Sequence, residues 1–99
     1  MKAIYNTLLN IIKRADFFYP MCELGYMNAC RDFEADRSTY FKIIEGSDLN
    51  EDEKEAFRHL WTAKQDACNA SMSMNGTQEK IADALYQSTY KLITGGDLA

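Results

Sequence analysis

Apolar side chains recur along most of this chain at steps of three and four residues, the spacing that keeps them on one face of a helix. The longest such stretch runs from Asp48 to Asn75. Within it Ala56, Leu60, Ala63, Ala67, Ala70 and Met74 form one stripe, and Phe57, Trp61, Cys68 and Met72 widen it on one flank. Glu51, Glu55, Arg58, Thr62, Asp66, Asn69 and Ser73 occupy the opposite positions, and all are polar. A strand would alternate at every second residue and would mix the two sets. The small side chains Ala56, Ala63 and Ala70 allow a neighbouring helix to approach to roughly 8 Å.

The ends of this segment carry their own signals. Asn50 is placed to accept from the backbone of Glu53, whose side chain can reach back to Asn50, an Asn version of the capping box. Glu51, Asp52, Glu53 and Glu55 set negative charge at the positive end of the helix dipole. Asn75-Gly76 supplies residues that tolerate positive φ, and so predicts the end of the helix there.

Three further helices follow from the same spacing. Residues 2–16 place Ile4, Leu8, Ile11, Ala15 and Phe18 on one face, with Tyr5, Leu9 and Ile12 beside it. Pro20 sets a boundary and opens a helix over 20–45. Its stripe comprises Cys22, Tyr26, Ala29 with Cys30, Phe33, Tyr40 with Phe41, and Ile44, interrupted by Arg37. Gly25 weakens the first turns, which predicts regular helix from about Tyr26. Thr77 is the expected cap of a last helix over 78–94, with Ile81, Leu85, Thr89 and Leu92 on the buried face and Ala82, Tyr86 and Ile93 alongside.

The expected fold is therefore all-α: a compact, mainly antiparallel four-helix bundle with short loops, spanning residues 1–99 as one domain, with helices at 2–16, 20–45, 50–74 and 78–94. One Pro and five Gly suit helices better than a turn-rich β fold. The 46% hydrophobic content is enough for a real core.

Charge narrows the function. The net charge of −4 lacks the basic stripe of a nucleic-acid binder, so no direct nucleic-acid contact is expected. No uninterrupted apolar run reads as a membrane span or signal peptide. Three cysteines without a secretion signal predict reduced thiols and a cytoplasmic setting. Two triplets, Asn69-Ala70-Ser71 and Asn75-Gly76-Thr77, fit the glycosylation pattern, which is common by chance.

Little of the sequence reads as reaction chemistry. Cys22, Cys30, His59 and Cys68 could be counted as zinc ligands. Their spacing along helices is too long for a tetrahedral site, so no metal is expected. Asp48 to Asp52 begins like an EF-hand loop, but Glu53 stands where Gly is required and His59 where a bidentate Glu is required. No nucleophile elbow or phosphate-binding Gly pattern is present, and neither an enzyme nor a cofactor is expected.

Partner contacts have three candidate locations. Glu51, Asp52 and Glu55 form one acidic group, and Asp32, Glu34 and Asp36 a second. Phe17, Phe18 and Tyr19 are three adjacent aromatics that cannot all face one core. A small acidic bundle of this kind is expected to bind a protein with a basic surface. The sharpest version is an inhibitor of a basic, nucleic-acid-handling host protein, encoded by a phage or mobile element. The alternatives are a homo-oligomeric structural or adaptor protein, and a small-ligand binder or enzyme with a pocket near His59, Trp61 and Tyr86.

Overall fold

The structure, a computed structural model, describes residues 2–15 and 23–95, the side chains of 23–32 and of Met72 excepted. Four helices account for most of it, and no strand occurs among the described residues: α1 (Ala3–Arg14), α2 (Glu23–Gly46), α3 (Glu51–Met72) and α4 (Gly76–Thr94). The all-α expectation holds. The backbone divides into two compact units, Lys2–Ser47 with α1 and α2, and Asp48–Ala99 with α3 and α4.

In the first unit the expected face of α1 is buried. Leu8 and Ile12 are fully enclosed, and Tyr5, Leu9, Ile11 and Ala15 nearly so. On α2, Phe33, Tyr40 and Ile44 are buried in the same way. Arg37, which breaks the apolar pattern, stays exposed and lays its guanidinium 5.0 Å from the centre of the Phe41 ring. A cation over an aromatic face is attracted by the ring quadrupole, so the charge sits on the apolar flank without entering it. Arg14 reaches Asp36 at 3.4 Å and ties the end of α1 to α2. Gly25 does not delay the helix, which is regular from Glu23. Residues 16–22, where the first boundary and the Phe17, Phe18 and Tyr19 cluster were expected, lie outside the described residues.

In the second unit α3 carries the largest buried side chains. Phe57, Leu60 and Trp61 are enclosed, and Ala56, Ala63 and Ala70 are buried beside them. The expected polar face is where the spacing put it, with Glu51, Glu55, Thr62, Asp66, Asn69 and Ser73 exposed. The capping box is complete. The Glu53 backbone N–H donates to Asn50 Oδ1 at 2.8 Å, and the Asn50 N–H donates to Glu53 Oε1 at 3.1 Å. Glu53 is 1% exposed, so its carboxylate belongs to the helix start and not to the surface.

The turn into α4 differs from expectation. The positive φ falls on Met74, at 56°, and not on Asn75 or Gly76. The Asn75 N–H donates to Ala70 O at 2.9 Å and the Met74 N–H to Ser71 O at 3.1 Å. This 6→1 and 5→2 pair is the Schellman closure of a helix end. Asn75 is engaged elsewhere: its Oδ1 accepts the Gln78 N–H at 3.1 Å, making it, and not Thr77, the cap of α4. An N-cap residue keeps negative φ, so the left-handed position moves back to Met74. An L side chain pays about 1–2 kcal/mol in that region, partly offset by the entropy that Gly would lose on folding. Met74→Gly is therefore expected to stabilise the chain by about 1 kcal/mol. In thermal unfolding this is a rise of several degrees in the midpoint, and a fall would show that the Met74 side chain contributes to packing.

Candidate interaction surfaces

The acidic residues at the start of α3 have separate fates. Glu53 is sealed in the cap, while Asp48, Glu51, Asp52 and Glu55 remain exposed. Arg58, one turn further, reaches back to Glu51 at 3.0 Å and to Glu55 at 3.5 Å. Glu55 also meets His59 Nε2 at 3.2 Å. These are exposed contacts, each worth at most about 1 kcal/mol, so they leave the carboxylates reachable. Asp52 stands outside this cluster of contacts and is exposed.

The second acidic group is less coherent. Glu34 is exposed, but Asp36 is turned to Arg14, its side chain only 24% exposed. The side chain of Asp32, like the Phe17, Phe18 and Tyr19 cluster, lies outside the described residues. The start of α3 is thus the one expected acidic group whose geometry is fully on view.

A ligand pocket was the alternative expected near His59, Trp61 and Tyr86. His59 is exposed and Trp61 is buried at 1%. His59 lines an open groove of about 210 Å³ with Thr62, Ala63, Asp66, Leu85 and Thr89. Small-molecule sites usually run from about 300 Å³ upwards and enclose most of their ligand. Tyr86 lies elsewhere on α4, 6.0 Å beneath Lys64 Nζ and 6.1 Å from Tyr90, centre to centre. Cys68 is half-buried. Among the described residues no three His, Cys, Asp or Glu side chains converge on a possible metal position. No helix among them is long and apolar enough to cross a membrane.

The surface that sequence reading missed is on α4. Ile81, Leu85 and Leu92 were expected in the core, yet they are 51%, 57% and 41% exposed. The residues turned inward are Ala82 and Ile93, with Tyr86 and Thr89 half-buried between them. Ala82, Tyr86 and Ile93 each follow an expected residue by a single position, a rotation of about 100°, whereas Thr89 was itself expected inside. The cause is the packing partner. The α3 seam presents Ala63 and Ala70, and a small residue such as Ala82 meets a small seam more closely than Ile81 could. Asn69 shares a groove with Gln78 and Ile81, whereas His59 shares one with Leu85 and Thr89. The two helices of this unit therefore run in opposite directions.

No known family matches this sequence, and neither a curated protein nor a solved structure matches it. The class is set by the fold alone: an all-α protein with an acidic helix start and an apolar helix face, both in solvent.

Proposed function

We propose that this chain is a protein-binding module whose acidic surface docks on a basic protein face, acting as a small inhibitor or adaptor and not as an enzyme. The observation that carries the reading is the division of the acids at the start of α3. One carboxylate, Glu53, satisfies the cap; Glu51, Asp52 and Glu55 remain in solvent beyond what the helix start requires. Like charges crowded on a surface repel, and a basic partner relieves that repulsion while accelerating encounter. A nucleic-acid-handling host protein would offer such a surface, and an inhibitor encoded by a phage or mobile element would have this size and charge. A cytoplasmic setting belongs to the same proposal.

The test is a partner captured from native extract, identified, and titrated against purified variants. The reversal of Glu51, Asp52 and Glu55 to Lys is expected to weaken binding at least about tenfold at low salt, mainly through slower association. Rising salt should weaken the parent complex and narrow that gap. Binding that ignores both salt and the reversals would sink the acidic reading.

A second reading, the homo-oligomer, is favoured by one observation: the exposed Ile81, Leu85 and Leu92 of α4. Three apolar side chains exposed along one line of a helix suit a contact with another chain.

A further inference from the structure

We propose that the exposed face of α4 docks against the same face of a second copy of this chain, the two α4 helices lying parallel about a two-fold axis. The inference rests on the homo-oligomer reading and gives it an occupant and a register. Ile81, Leu85, Ser88 and Leu92 follow one another at steps of four, three and four, and so form a single stripe, all of it exposed. One position after the stripe's ends come Ala82 and Ile93, which are buried and turned towards α3. One position before them come Lys80 and Lys91, both exposed, which flank the stripe on the side away from α3. The stripe therefore has a basic edge. Its other edge is the α3 wall of the groove, which presents His59, Thr62, Asp66 and Asn69, with Glu55 one turn beyond His59. That edge is polar and carries the acids.

A face with one basic and one acidic edge distinguishes between the two ways of pairing with itself. An antiparallel pairing about a two-fold axis puts like edges together, Lys80 and Lys91 against their own copies and the acidic wall against its copy. A parallel pairing exchanges the edges, and each lysine edge meets the partner's acidic wall. The spacing supports the second arrangement. Lys80 and Lys91 are eleven residues apart, and so are Glu55 and Asp66. On helices both separations are about 16 Å. A two-fold axis parallel to α4 allows no axial slip, so each lysine stays at the height of its own neighbours. Asp66 shares a groove with Ile81 and Ala82, the height of Lys80. Because α3 runs opposite to α4, Glu55 then lies near the height of Lys91. Lys80 meets Asp66 of the other copy, Lys91 meets Glu55, and the apolar stripes close between them. Ser88, small and central, lets the two helices approach closely.

The experiment is light scattering coupled to size exclusion, with analytical ultracentrifugation over about 1–100 µM, on the full chain. The parent is expected to form dimers. Leu85→Glu is expected to lower the association constant at least about tenfold while its circular dichroism melt stays unchanged, because Leu85 is already largely in solvent. Asp66→Lys and Lys80→Asp are each expected to weaken dimers about three- to tenfold, and the double variant to recover most of the loss. A monomeric parent, or a dimer indifferent to Leu85→Glu, overturns the proposal. Sensitivity to Leu85→Glu with no recovery in the double variant overturns the parallel register. None of these substitutions alters Glu51, Asp52 or Glu55, the last of which both readings use, so a loss of self-association in these variants is read separately from the loss of a basic partner.

Discussion

Trp61→Ala is expected to remove about 3–5 kcal/mol from the unfolding free energy. Trp61 is 1% exposed, and Phe57 and Leu60 beside it in sequence are fully enclosed. Truncation withdraws the indole from a packed site that can collapse only in part, so a cavity term adds to the lost burial. A domain of this size holds roughly 5–15 kcal/mol in all, and a loss of this order leaves a measurable unfolded fraction at body temperature. Urea titration followed by circular dichroism measures it, since the substitution deletes the only tryptophan fluorophore. Ile81→Ala is the matched control: half of that side chain is already in water, and its loss should cost about 1 kcal/mol or less. Equal costs for the two would mean that α4 packs through the Ile81 face after all.

The second large effect is at Glu53. Glu53→Lys is expected to destabilise the chain by about 3–5 kcal/mol, whereas Asp52→Lys, one position earlier, should stay within about 1 kcal/mol of the parent. Both remove an acid from the first turn of α3 and both add a cation near the positive end of its dipole. They differ in what surrounds the charge. Glu53 is 1% exposed and accepts the Asn50 N–H, so the lysine would sit in a buried position without that acceptor. Asp52 is exposed and its replacement remains hydrated. Thermal and urea unfolding of the two variants side by side tests this. Similar stabilities would show that the buried carboxylate contributes little to the helix start.

The elements legible in the sequence were those decided by local chemistry. The Asn50–Glu53 box depends on residues three apart whose side chains reach each other's backbone, and no distant contact is needed to specify it. The α3 stripe was legible as far as Ala70 because its polar and apolar sets are cleanly separated; Met74, assigned to its end, lies beyond the helix and is 93% exposed. The face of α4 was not. Its two stripes, Ile81–Leu85–Leu92 and Ala82–Tyr86–Ile93, lie about 100° apart and both are apolar. Periodicity finds a helix with a wide apolar arc, but only the shape of the neighbour chooses which half turns inward. Ranking by hydrophobicity favours Ile and Leu, whereas the alanine seam of α3 favours Ala. The acids at the start of α3 were legible as a group. That Arg58 would reach back to Glu51 and Glu55 depends on rotamers that sequence does not display, and no residue spacing announced that the left-handed turn would fall on Met74.

Met74 carries one more implication. Its side chain is 93% exposed at the tip between α3 and α4. A thioether so open to solvent is readily reached by peroxide, and its conversion to the sulfoxide makes a flexible apolar group polar. In a core that change disrupts packing; at this tip the group already stands in water, so oxidation costs the α3–α4 hairpin almost nothing. The turn can take up oxidant while the buried alanines beneath it, Ala63, Ala70 and Ala82, stay chemically untouched.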